Sequence, residues 1–156
     1  MKQLIHRIGA ITATICIALF FTSTVVVELF GTVESVATVK SLIVMPGLFI
    51  LLPAIAATGA TGFALGKNRQ GRLFEAKKKR MPFVGANGVL ILLPAAIFLD
   101  QWATAGAFDA RFYLVQGLEL LAGAVNLTLM SLNIRDGLRM SGKRIFSKDI
   151  KINAGP

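Results

Sequence analysis

The run SLIVMPGLFILLPAIAATGATGFALG, residues Ser41–Gly66, contains no charged side chain. A bilayer core about 30 Å thick is crossed by about 20 apolar residues of α-helix, so this run is long enough to span one. Two more uncharged runs, Ile8–Val27 and Met81–Leu99, meet the same requirement. A fourth, Phe112–Ile134, carries a single charge, Glu119. Helices that satisfy their own backbone hydrogen bonds are what lipid permits. The expected fold class is therefore all-α: a polytopic membrane protein with four transmembrane helices in one bundle. The expected helices cover about 8–29, 41–66, 81–101 and 112–134 of a 1–140 domain, with a basic loop at 67–80 and a basic tail at 141–156.

Composition points the same way. Hydrophobic residues make up 54% of the chain and charged residues 16%, against about 25% charged in soluble domains. A soluble bundle confines its apolar residues to a stripe, whereas Leu48–Leu52, Val89–Leu93 and Leu118–Leu121 are apolar on nearly every side. With 156 residues there is room for one bundle and no second domain. A single cysteine, Cys16, excludes an internal disulfide framework and a Cys-ligated metal cluster within one chain.

The basic residues give an orientation. Fifteen of the 17 lie in the N-terminal tail, the 67–80 linker or the segment after Ile134, leaving Lys40 and Arg111 on the other side. The positive-inside rule then places both termini in the cytoplasm of a bacterial inner membrane, with Trp102 and Tyr113 at the outer interface. Met1–Phe21 has the basic and apolar regions of a secretory signal. No A-x-A-like site follows and the apolar run continues to Val27, so an uncleaved first helix is expected. The net charge of +9 does not indicate nucleic acid, because the excess lies beside helix ends with no interleaved aromatics. Lys77, Lys78, Lys79 and Arg80 instead suit anionic lipid headgroups, or a membrane-protein partner or second copy of the chain.

Polar residues inside the expected spans are the candidate sites. On helix four, Gln116, Glu119, Gly123, Asn126 and Asn133 fall on one helical face. Asn87 on helix three reaches the depth of Asn126, so an Asn87–Asn126 hydrogen bond would join the two helices; Asn and Gln commonly do this. Glu119, roughly 10 Å below the outer boundary, is either a hydrogen-bonded structural acid or a proton, ion or ligand site. Its sequence neighbours offer no clear partner: Arg111 is two turns nearer the surface and Lys40 opens helix two. Glu28 and Asp100 fall at helix ends, where solvent serves them. Pro53 and Pro94 each free a carbonyl four residues back, predicting kinks in helices two and three, while Pro46 is accommodated near the start of helix two. Thr58/Gly62 has small-xxx-small spacing suited to close packing, and Thr12, Thr14, Thr22, Ser23 and Thr24 can bond back to their own helix.

His6 is the only histidine and stands just before helix one, in the run Lys2-Gln3-Leu4-Ile5-His6-Arg7-Ile8-Gly9. This opening resembles those of small bacterial four-helix membrane families, the CopD-like copper-resistance proteins and the HemJ-type protoporphyrinogen oxidases. The resemblance covers only the start of the first helix. It implies haem b as cofactor with His6 as ligand, and it departs from the families in having no second histidine for bis-histidine ligation. No phosphate-binding loop, nucleophile elbow, paired carboxylates or metal-spaced histidines occur, so no catalytic or metal residue is assigned. Three functions follow as expectations. The first is a non-catalytic accessory, assembly or scaffold component of a membrane complex. The others are a haem- or quinone-linked redox protein resting on His6, and an oligomeric carrier or channel resting on Glu119.

Overall fold

The computed structural model describes residues 1–66 and 72–153 along the backbone, and their side chains apart from 66, 72–74, 76–78 and 140–153. Every regular element among the described residues is helical. Four helices are long and apolar enough to cross a membrane: Lys2–Phe30, Val33–Leu65, Lys79–Thr104 and Ala110–Arg139. They alternate in direction, and two of them are interrupted. The elements are α1 (Lys2–Phe30), α2 (Val33–Leu42), α3 (Leu48–Gly66), α4 (Arg72–Asn87), α5 (Leu93–Thr104) and α6 (Ala110–Asn153).

Local chemistry sets the boundaries. Thr32 caps α2, its hydroxyl accepting from the Ser35 N–H at 3.3 Å. The second span therefore begins at Val33, well before the expected Ser41, which moves Lys40 from the mouth of a helix into its body. Asp109 caps α6 by accepting from the N–H groups of Arg111 and Phe112 at 3.0 and 3.1 Å. The turn before it closes α5 with a Schellman motif: Ala107 N–H bonds the Trp102 carbonyl and Gly106 N–H the Ala103 carbonyl. Gly106 stands at φ 69 in this turn, a conformation that a side chain disfavours.

The helix breaks fall differently from the proline expectation. In the second span the interruption is at Met45, whose backbone is non-helical (φ −135, ψ 108), just before Pro46 and inside a π-helical turn, Ile43–Gly47. Pro53 lies within α3, which continues through it. In the third span a π-helical turn, Gly88–Leu92, precedes Pro94, and the Leu93 N–H reaches back five residues to the Gly88 carbonyl. Widening the turn is one way a helix absorbs a proline's missing donor.

Three expected boundaries also shift. α1 starts at Lys2, so His6 lies inside the helix. The 67–80 segment is helical from Arg72 onward. α6 runs on to Asn153, so the basic tail expected from 141 continues the fourth helix through Asn153. This basic segment prolongs the fourth span.

α1 packs most extensively on α3, around Ala13, Ile17, Leu48, Leu51 and Ala54. The contact is close because glycines lie along it. A Cβ on Gly9 would stand 2.7 Å from Thr58 Oγ1 and 3.0 Å from the Ala54 carbonyl, and one on Gly47 would strike the Phe20 ring at 2.6 Å. At the opposite end from the termini, Val36, Leu99, Ala103 and Phe112 form a second core that seats α2 and α6 against α5.

Candidate functional site

The polar face of α6 is turned into the bundle. Gln116, Asn126, Asn133 and Asp136 are all buried, along with Phe112 and Ala122. With Glu119 they follow one another at intervals of 4, 3, 3, 4, 7 and 3, the seam on which one helix packs against others. Asn126, Asn133 and Asp136 meet the third span there, while Gln116 bonds Glu119 on its own helix.

At the end remote from the termini, Lys40 of α2 has no exposed surface, and its Nζ donates to Glu119 Oε2 at 2.5 Å. Glu119 is itself 13% exposed. Gln116, one turn earlier on α6, donates from Nε2 to the same oxygen at 3.2 Å. Glu28, near the end of α1, lies within electrostatic reach of both Lys40 and Glu119. Its Oε1 is buried and meets no hydrogen-bond partner among the described residues, and the same holds for Gln116 Oε1. Glu28 is thus a half-buried neighbour of the Lys40–Glu119 pair, with one oxygen sealed from solvent, and not the fully solvated helix-end acid expected from its position. Asp100 keeps closer to expectation at the exposed rim, where it accepts from Ser41 Oγ at 2.6 Å.

In the middle of the bundle, Asn87 donates from Nδ2 to Asn126 Oδ1 and to the Ala122 carbonyl, both at 2.9 Å. Asn126 Nδ2 reaches the Val84 carbonyl at 3.4 Å. The contact expected from matching depths is present, and it lies beside the π-helical turn of the third span.

Toward the terminal end, Arg80 donates to Asp136 Oδ2 at 2.7 Å, and Arg135 approaches Asp136 Oδ1 at 3.4 Å. Asn133 Nδ2 contacts Met81 Sδ at 3.2 Å. Arg80, expected to face lipid or a partner, is turned inward because Asp136, 2% exposed, supplies a buried counter-charge. Lys79 remains exposed. The side chains of Lys77 and Lys78 lie outside the described residues.

His6 packs against α3. Its Nδ1 lies 3.1 Å from the Thr58 carbonyl and 3.3 Å from Thr61 Oγ1. A carbonyl only accepts, so Nδ1 carries the proton. Thr61 gives its own hydroxyl proton to the Ala57 carbonyl. The ring sits close to the α3 backbone, with Cε1 3.2 Å from where a Cβ on Gly62 would stand. With this packing and only one histidine in the sequence, the residues of a single chain do not fit a bis-histidine haem.

Sequence alone offered no clear partner for Glu119 and so did not single out Lys40, and it assigned Glu28 to solvent at a helix end. The signal for both was Thr32 followed by Val33-Glu34-Ser35, a helix start that carries Lys40 two turns into α2 and toward the end of α1. No family model matches the sequence, no curated protein is detectably similar to it, and no solved structure matches its fold. None of these comparisons bears on the CopD-like or HemJ-type resemblance.

Proposed function

We propose that the chain is a multi-pass protein of the bacterial cytoplasmic membrane and acts as a non-catalytic accessory, assembly or scaffold component of a membrane complex. The observation that carries this reading is the α6 seam. Glu119, Gln116, Asn126 and Asp136 each bond a residue of the bundle, three of them on another helix. These polar contacts tie the fourth span to the second and the third. A surface of fixed shape is what an assembly component offers its partner.

Membrane placement is supported by the outer surface. Ile8, Ile11, Ile15 and Leu19 of α1, Phe49 of α3 and Leu114 and Leu121 of α6 are all exposed. Contiguous apolar surface of that extent is not left to water. The uneven Lys/Arg distribution supports cytoplasmic termini. The basic terminal end then faces anionic headgroups, at about 1 kcal/mol per residue near the surface. The helical extension of α6 past Arg139 gives that end a rod on which a partner or a second copy can dock.

The test has two arms. Deleting the gene should shrink or dissolve one native membrane complex, and restoring the chain should rebuild it with the chain present at fixed stoichiometry. Purified protein in sealed vesicles should show no proton or monovalent-cation flux above empty vesicles. A flux abolished by Glu119→Gln would overturn the reading in favour of a carrier, which the Lys40–Glu119 pair beside the broken second span favours next. A reducible visible absorbance lost in His6→Ala would overturn it in favour of a redox protein.

A further inference from the structure

We propose that the cluster formed by Glu28, Lys40, Glu119 and Gln116 is a proton-binding site, in which Glu28 carries one exchangeable proton while Lys40 and Glu119 remain an ion pair. This goes beyond the assembly role, and it stands whether or not the bundle docks a partner.

Three helices each bring one charged group to the cluster: Glu28 from α1, Lys40 from α2 and Glu119 from α6. α5 brings only Asp100, held at the rim by Ser41. The remaining charged groups at this end are Glu34, which is exposed, and Asp109 and Arg111, which pair with each other at 3.6 Å in largely exposed positions. Nothing facing the cluster from these elements adds a second positive charge. Fully ionised, it holds two carboxylates against one ammonium. That leaves one negative charge uncompensated beside the ion pair, and binding one proton removes it.

The two carboxylates are not equivalent. Glu119 Oε2 receives both the Lys40 ammonium and the Gln116 amide. Glu28 Oε1 receives no donor. Glu28 also lies in the last turns of α1, where the helix carbonyls disfavour an anion, whereas Lys40 ends α2, where they favour a cation. A second observation is independent of charge. Gln116 is 3% exposed, its Nε2 is committed to the cluster, and its Oε1 lacks a donor. Two buried acceptors thus stand open where no protein donor is supplied. Uptake forms an O–H bond on a Glu28 carboxylate oxygen with a proton from water, and that O–H is a new donor within the cluster.

Infrared difference spectroscopy on the full chain in detergent or nanodiscs, titrated in H₂O and D₂O, tests this. The wild type should show one protonated-carboxyl C=O stretch that disappears as the pH rises and shifts in D₂O. Glu28→Gln, which preserves shape, should abolish it while leaving the elution profile unchanged. Glu119→Gln should also abolish it at neutral pH, since Glu28 then inherits the Lys40 ammonium. Lys40→Met, if it folds, should double the band. A wild type with no such band, or a band unaffected by Glu28→Gln, would sink the proposal. Loss of the band on adding sodium or potassium at constant pH would make this a metal-cation site and overturn the proton assignment.

Discussion

Lys40 and Glu119 are 79 positions apart in sequence, yet their side chains meet at 2.5 Å, with the ammonium withdrawn entirely from the surface. A pair this buried gains Coulomb energy and loses hydration in comparable amounts, so its net contribution to stability is small. Removing one partner is another matter, because the other charge is left behind. Lys40→Met should therefore destabilise the bundle by about 3–5 kcal/mol. Pairing it with Glu119→Leu should recover most of that loss, since well-packed apolar residues often replace a buried pair without penalty. Unfolding of the single and double variants in mixed micelles measures both. A double variant as unstable as Lys40→Met would mean that the pair does more than balance charge.

That pair also marks where the sequence was legible and where it was not. Uncharged runs the length of a bilayer declare four spans without help from tertiary structure, and the matched depths of Asn87 and Asn126 followed from helix rise alone. Depth arithmetic fails once a boundary moves. Starting the second span at Ser41 put Lys40 at the surface, whereas the Thr32 cap starts it at Val33. The proline breaks were hard to locate for a related reason. Pro46, Pro53 and Pro94 each lack a donor, but whether a helix bends, widens or continues depends on what packs beside the freed carbonyl. Against Phe20 and Gly47 the chain broke at Met45, and α3 ran through Pro53.

Asn87 and Asn126 join the third and fourth spans at mid-depth through a 2.9 Å hydrogen bond. Bonds of this kind between membrane helices contribute about 0.6 kcal/mol on average and up to about 1.7 kcal/mol. A double-mutant cycle with Asn87→Leu and Asn126→Leu should return a coupling in that range. Each single change also strands a partner, since Asn87 serves the Ala122 carbonyl and Asn126 reaches that of Val84. Either single variant should therefore be at least as unstable as the double. Strict additivity would show that the two amides act independently.

Asp136 is shared between Arg80 at 2.7 Å and Arg135 at 3.4 Å, and the second arginine is about half exposed. The closer, better-buried arginine should matter more. Arg80→Met is expected to cost about 1–2 kcal/mol, with Arg135 able to take over part of the role, and Arg135→Met well under 1 kcal/mol. Because the two share one acceptor, the double change should exceed the sum of the singles. Thermal unfolding of the three variants decides it. A larger effect from Arg135→Met than from Arg80→Met would reverse the assigned roles.

Two glycines of the bundle should respond in opposite ways to the same substitution. A Cβ on Gly9 would lie 2.7 Å from Thr58 Oγ1 and 3.0 Å from the Ala54 carbonyl, which is backbone and cannot rotate aside. α1 would have to move off α3, so Gly9→Ala should destabilise by about 1–3 kcal/mol, the usual cost of overpacking. Gly59, in the interior of α3, has no atom within 4 Å of that position. Gly59→Ala adds a methyl to open space and removes backbone freedom from the unfolded chain, so it should be neutral or stabilise by up to about 1 kcal/mol. The pair separates close helix contact from helix propensity, because both residues lie inside helices. If both substitutions proved harmless, α1 and α3 would not meet as closely as Gly9 and Thr58 require.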